Sequence, residues 1–370
     1  MRKIGIVTFH KAHNYGAMLQ AYALEKKLIS KGKNDVEIIN YYSDEIYSNY
    51  RVIRPLCKNP LKSLKHFIDD IVLYKKRKLR FNVFEKFLQD NFEMSKEYKE
   101  EKQIKNEKFL YNVLITGSDQ VWNPKIVGEL SDVYTLNFGK DNVKRISYAA
   151  SVGSVDYIDE YKEKFIKTLD RLDYISVRED DACKSLNNLT DKKVERVLDP
   201  TLLLSKEEWN NTLNNIEKLN NKYIVAYVVE PDDEYIRIVN DLSDKTGLPV
   251  IHFGIKNPGY KNVLKSAYTE GPLEFVNYIK NAEYVVATSF HATVFSIIFN
   301  KKFFVVPHRK TGARVTNLLD LLNIENRAFY DFEEFKNIDY TFDTDWNEVN
   351  KKLEEEREKS INWLKNAIEG

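Results

Sequence analysis

Short β-branched runs alternate along this chain with longer stretches whose apolar residues recur at helical spacing, and no other feature limits its fold so sharply. A strand covered on both faces reads as a continuous apolar run, and parallel neighbours need a crossover, usually a helix, between them. The alternation therefore specifies βα units and parallel sheets. "KIGIVTF" (residues 3–9) reads as the first strand, "AMLQAYALEKKLISKG" as the helix after it with Gly32 as its stop, and "VEIINY" as the second strand. The pattern resumes at "NVLITG" (112–117), "RISYAAS" (145–151), "DYISVRED" (173–180) and "ERVLDP" (195–200). A further set begins at "YIVAYVV" (223–229) and continues with "PVIHFG" (249–254), "YVVATS" (284–289) and "KFFVVP" (302–307).

These sets imply an N-terminal α/β domain over residues 1–205, with a charged, aromatic, mostly helical insert at about 43–110, and a C-terminal α/β domain over 220–345. A chain of 370 residues is long enough for two such cores. The Asn- and Lys-rich "SKEEWNNTLNNIEKLNNK" reads as the linker, and residues 346–370 as a final amphipathic helix expected to pack back on the first domain. The expected architecture is two doubly wound, Rossmann-like domains facing a cleft at the carboxyl ends of their strands, a glycosyltransferase B-like arrangement.

Composition excludes several classes of function. The 57 Lys and Arg nearly cancel the 56 Asp and Glu, so the net charge of +1 gives no general pull toward nucleic acid or an acidic membrane. The two cysteines, Cys57 and Cys183, lie outside any CxxC spacing, which argues against a disulfide framework or structural zinc and fits a reducing cytoplasm. The apolar start of the chain is too short for a signal-peptide core or a membrane span. GxGxxG, GxxxxGK[ST] and kinase signatures are all missing.

Four polar stretches follow strands directly, where open α/β sheets bind ligands. In "HKAHNYGAMLQAYAL", Asn14, Tyr15 and Gly16 open a helix whose free N–H groups suit an anion or sugar hydroxyls, or else form an Asn cap and a turn. His10 and His13 have HxxH spacing but no third ligand, so no metal is expected. In "ITGSDQVWNP", Ser118 and Asp119 are placed to orient or deprotonate an alcohol, or Asp119 caps the next helix; Trp122 stacks on a sugar face or fills the core. In "YISVRED", Arg178 is placed as a bidentate clamp for a carboxylate or phosphate, unless Glu179 or Asp180 neutralises it. In "TSFHATVFSIIF", the apolar residues seat the helix and set His291 at its start, a position that favours chemistry over a core role. Downstream, His308, Arg309, Lys310 and Arg314 form a basic cluster suited to a phosphate or to a solvated loop.

Taken in order, "NYGAMLQAYAL", "ITGSDQVWNP", "SYAASVG", "VRED", "VLDPTLLL" and "TSFHATVFSIIF" resemble the polysaccharide pyruvyl transferases over residues 3–325. That resemblance implies transfer of pyruvate from phosphoenolpyruvate, a co-substrate rather than a resident cofactor, to two hydroxyls of a sugar in a cell-surface glycan or its precursor. The product is a cyclic ketal, and phosphate is released. By the same resemblance, Arg178 helps hold the donor and His291 is the catalytic residue; the chemistry of the transfer makes His291 the general acid, and its position after a strand makes Asp119 a second catalytic candidate. Asn14, Tyr15, Gly16, Ser118 and the insert fall to the acceptor side. Many family members carry an arginine where this chain has Ser289, so Arg309, Lys310 or Arg314 are the candidates to complete the donor site beside Ser289. The acceptor is expected to be lipid-linked, nucleotide-linked or polymeric, and a lipid-linked one would bring the protein to the inner face of a membrane. A nucleotide-sugar-dependent glycosyltransferase of the same fold and a non-catalytic sugar-binding protein are the alternatives.

Overall fold

A computed structural model of the chain describes residues 1–29, 32, 34–54, 60–228, 231–307, 312–341 and 343–370. It divides into two compact units, one of Met1–Phe67, Leu88–Leu204 and Glu355–Gly370, the other of Ile68–Phe87 and Ser205–Glu354. The first unit holds strands β1 (Arg2–Val7), β2 (Asn34–Ile38), β3 (Val113–Thr116), β4 (Lys144–Ala150), β5 (Tyr174–Val177) and β6 (Val194–Arg196). They form one sheet in the order β2-β1-β3-β4-β5-β6, with all neighbours parallel. The second unit holds β7 (Ile224–Tyr227), β8 (Val250–His252), β9 (Val263–Ser266), β10 (Tyr284–Ala287) and β11 (Lys302–Val305). Their order is β11-β10-β7-β8-β9, again wholly parallel. Both units are thus α/β and Rossmann-like, as the alternating pattern requires.

In each sheet the chain builds outward to one side and then returns to the other, so a topological switch point falls between β1 and β3 and another between β7 and β10. Loops leaving the carboxyl ends of strands at such points diverge and open a crevice. The strands themselves are fixed by burial: Ile4, Ile6, Leu114, Ile115 and Ile146 in the first sheet and Ile224, Val250, Val285, Val286 and Phe304 in the second are inaccessible to solvent. Gly32, at φ 61, closes the helix Tyr15–Ile29 as its sequence suggests, its N–H donating to the Ile29 carbonyl at 2.8 Å.

Two expectations of organisation need adjustment. The polar stretch read as a linker contains the helix Lys206–Thr212, because Ser205 and Glu208 form a reciprocal capping box and Trp209 buries its ring against Phe295 at 5.0 Å. The helical insert is shared: Ile68–Phe87 group with the second unit, where the Arg80 guanidinium lies over the Phe84 and Tyr268 rings and donates to the Tyr268 carbonyl at 2.7 Å. The final helix, Trp346–Glu369, belongs to the first unit from Glu355 onward. There Arg357 Nε donates to the Leu202 carbonyl at 2.7 Å, and the Leu198 N–H to Ser360 Oγ at 3.0 Å. Among the described residues no helix is long and apolar enough to cross a membrane.

One buried acid makes the first unit sensitive to pH. Burial pushes the Glu25 carboxyl up to about 8, offset only in part by the Glu93 N–H that donates to Oε1 at 3.2 Å. The folded state therefore keeps its proton above the pH at which the unfolded chain releases it. The resulting stability is complete below about pH 4.5 and is lost as pH rises toward 8. Between about pH 5 and pH 9, urea unfolding should show the native protein losing on the order of 4 kcal/mol more than Glu25→Gln, which has no proton to lose there.

Candidate functional site

The loops at the carboxyl edge of the first sheet converge on one buried ionic cluster. After β3, Gly117 adopts φ 120, and a Cβ there would lie 2.1 Å from the Tyr148 carbonyl oxygen, so only glycine allows β3 and β4 to approach this closely. The turn carries Asp119 at φ 67, left-handed backbone that aspartate tolerates better than most residues. It is tied down on both sides: the Ser118 N–H donates to Gln20 Oε1 at 3.1 Å, and the Ser151 N–H to the Asp119 carbonyl at 2.9 Å. Gln20 in turn donates to Thr8 Oγ1 at 2.7 Å, which links the loop to the end of β1 across the switch point.

Arg178, directly after β5, reaches into this loop and is only 7% exposed. Its Nη1 donates to Asp199 Oδ2 at 2.9 Å, its Nε faces Glu179 Oε1 at 3.4 Å, and its Nη2 lies 3.9 Å from Asp119 Oδ1. Burial alone would lower its proton affinity, but the carboxylates of Glu179, Asp199 and Asp119 outweigh that and hold the guanidinium above its ordinary value. A guanidinium buried without such partners would be strongly destabilising. Asp199 is the hub: its Oδ2 also accepts from Ser118 Oγ at 3.1 Å, and its Oδ1 accepts from the Thr201 N–H at 3.0 Å and Thr201 Oγ1 at 2.6 Å. The Asp199 loop is braced by Tyr148, whose hydroxyl donates to the Leu198 carbonyl at 3.0 Å, and by Ser360.

Ser118, Asp119 and Arg178 are therefore brought together, with Asp119 the most accessible acid of the cluster. Arg178 is neutralised by Glu179, one of the partners its sequence offered, and by two acids distant in sequence. Asn14 is a helix cap, its Oδ1 accepting from the Gly16 N–H at 2.9 Å and the Ala17 N–H at 3.3 Å; Tyr15 and Gly16 are buried. Trp122 is a core residue, donating Nε1–H to the Tyr134 carbonyl at 3.2 Å. His10 is held by the Thr8 carbonyl at 3.1 Å and the Asn40 side chain at 3.2 Å, and His13 packs edge-on against Tyr47. Among the described residues no group of His, Cys, Asp and Glu is arranged to hold a metal ion.

In the second unit, His291 occupies the first turn of the helix Phe290–Ile298, directly after β10 at the switch point, and is 7% exposed. The ring of Phe290 stands edge-on to its imidazole at 5.2 Å. Ser289 is the N-cap residue but makes no side-chain cap; instead its carbonyl accepts from the Thr293 N–H and Oγ1, both at 3.1 Å. Val294, Phe295, Ile297 and Ile298 are buried and anchor the helix, which fixes where it starts. Arg314 is half-buried in the helix Ala313–Leu321, while His308, Arg309 and Lys310 lie outside the described residues.

Asp199 and Gln20 were not singled out in the sequence. For Asp199 the signal was present: it follows β6 in "VLDPTLLL", the same position after a strand that drew attention to the other loops.

A family model described as polysaccharide pyruvyl transferase matches residues 14–310, more than half of the chain. No curated protein matches. Among solved structures, the MnaA–UDP complex of S. aureus is 13% identical with a TM-score of 0.50, covering 91% of this chain and 86% of its own. A UDP-N-acetylglucosamine 2-epimerase gives 9% identity and a TM-score of 0.50, with 98% and 95% covered. A UDP-GlcNAc 2-epimerase from Methanocaldococcus jannaschii gives 12% and 0.44, with 95% and 92% covered. At such identities the likeness concerns the fold alone.

Proposed function

Since the chain belongs to the polysaccharide pyruvyl transferase family, we propose that it transfers pyruvate from phosphoenolpyruvate to two hydroxyls of a sugar, closing a cyclic ketal and releasing phosphate. The observation that carries this reading is the convergence of Ser118, Asp119, Arg178, Glu179 and Asp199 at the carboxyl edge of the first sheet.

The chemistry assigns each group a task. A first hydroxyl adds to the enol carbon and gives up its proton to a base, while an acid protonates the methylene carbon, turning it into a methyl group. The second hydroxyl then attacks the same carbon, the bond to the phosphate oxygen breaks, and the proton of that hydroxyl leaves with phosphate or a base. His291 is the acid for the methylene, and stabilising the oxocarbenium-like charge that develops is the main electrostatic demand. Arg178 receives the donor through its Nη2 edge, where the contact with Asp119 is the longest of its three ion pairs. A donor carboxylate or phosphate that takes over that edge releases Asp119 to accept a hydrogen bond from an acceptor hydroxyl. Donor binding and acceptor activation are thereby coupled. Ser289, Arg309, Lys310 and Arg314 are the further candidates for donor contacts, and Ser118 and the Asn14 loop the candidates for acceptor contacts.

The test is product analysis with the full-length protein, phosphoenolpyruvate and a panel of free, nucleotide-linked and lipid-linked sugars. Phosphate release that requires both phosphoenolpyruvate and one acceptor supports the reading. Nucleotide release from a nucleotide sugar, with phosphoenolpyruvate untouched, would replace it with glycosyl transfer. Sugar binding without turnover of either donor would replace it with a binding role.

A further inference from the structure

The helices Pro60–Val72 and Tyr74–Asn91 run on with almost no break, since the Leu73 N–H donates to the Asp69 carbonyl at 2.9 Å and the Arg77 N–H to the Leu73 carbonyl at 3.0 Å. Over residues 68–79 in the second unit, the polarity of this rod is inverted, before Phe84 and Phe87 restore a buried apolar contact further along. Its inward face carries charge: Asp70 is 1% exposed and paired with Arg77 at 3.4 Å, Asp69 meets Lys256 at 3.0 Å, and Arg80 is held by Tyr268. Its outward face is apolar, with Ile68, Ile71, Val72 and Leu79 all more than half exposed and Val72 reaching 73%. At about 100° per residue these four and the stem of Lys75 fall within roughly one 100° arc. Exposed Lys76 and Lys78 lie just outside it, one along each edge. In a chain whose net charge is only +1, "YKKRK" at residues 74–78 is a local concentration of positive charge.

An apolar stripe turned to solvent is seldom found on a soluble protein unless something covers it. Lysines along both margins, able to extend their charges past the stripe, match a surface that is apolar below and anionic above. We infer that this face docks on an anionic phospholipid bilayer, with Ile68, Ile71, Val72 and Leu79 entering the acyl boundary and Lys75, Lys76 and Lys78 meeting the headgroups. The inference stands apart from the reaction proposed above, because none of these residues belongs to either candidate site.

The test is co-sedimentation of the full-length protein with mixed phosphatidylglycerol–phosphatidylcholine vesicles and with pure phosphatidylcholine vesicles. Binding is expected to the anionic vesicles alone and to weaken with added salt. Lys75→Gln with Lys78→Gln should lower partitioning by roughly twentyfold, from about fivefold per lysine. Ile71→Ser with Val72→Ser should lower it by at least about tenfold, from the loss of buried methyl and methylene groups. Because all four side chains are exposed, the thermal midpoints should not fall, which separates lost docking from lost fold. Failure to bind anionic vesicles, equal binding to both kinds, or unchanged binding of the variants would overturn the inference. So would a dimer in sedimentation velocity that Ile71→Ser with Val72→Ser dissolves, since a second copy would then be the occupant.

Discussion

An Asp199→Ala protein should unfold at a temperature lower than wild type by on the order of 10 °C. Asp199 is 1% exposed and accepts hydrogen bonds from Arg178, Ser118 and Thr201. Removing it leaves a buried guanidinium without its shortest ion pair, a change that typically costs about 3–5 kcal/mol. For domains of this size each kcal/mol moves the midpoint by roughly 2–4 °C. Glu179 at 3.4 Å and Asp119 at 3.9 Å keep the loss toward the lower end of that range. Asp199→Asn separates the causes, because its amide keeps a hydrogen-bond acceptor for Thr201 or Ser118 and loses the charge. If charge compensation dominates, Asn should be nearly as damaging as Ala; if the hydrogen bonds dominate, Asn should recover most of the midpoint. A midpoint for Asp199→Ala within about 2 °C of wild type would show that Arg178 does not depend on Asp199.

His291→Ala should act in the opposite way, on turnover and not on the fold. Loss of a general acid typically costs about 10²- to 10⁴-fold in rate. Pyruvyl transfer should fall by that factor, while the thermal midpoint moves by only a few degrees, because Val294, Phe295, Ile297 and Ile298 still seat the helix. Ser289→Ala, which removes a hydroxyl that makes no cap, should leave that midpoint unchanged. If His291→Ala kept full transfer while Arg178→Ala abolished it, the acid would have to be another residue.

Ten of the eleven strands were legible, eight of them because they are mostly buried apolar runs in which burial on both faces leaves little polar alternation to confuse them, whereas β2 and β6 are only partly buried. β9 was not: it is a partly exposed edge strand reading "VLKS", whose two apolar residues are too few to mark a run. The polar stretch at 205–222 misled because its composition is that of a linker, whereas one capping box and the buried ring of Trp209 make its first third a helix. Position after a strand was enough to single out Asp119, Arg178 and His291 as candidates. It could not reveal what surrounds Arg178, since Asp119 and Asp199 come from loops far apart in the chain and meet it only when the sheet forms. The inverted face at residues 68–79 was hidden for the same reason, as a helix shows which of its faces is outward only when packed.

The most direct test of the account is to run the reaction in D2O with phosphoenolpyruvate and a sugar acceptor and to examine the product by NMR and phosphate assay. Proton delivery to the methylene carbon predicts one deuteron in the ketal methyl group and one phosphate released per ketal formed. Phosphate released without ketal, a methyl group with no deuterium, or a glycoside formed from a nucleotide sugar in place of the ketal would contradict it.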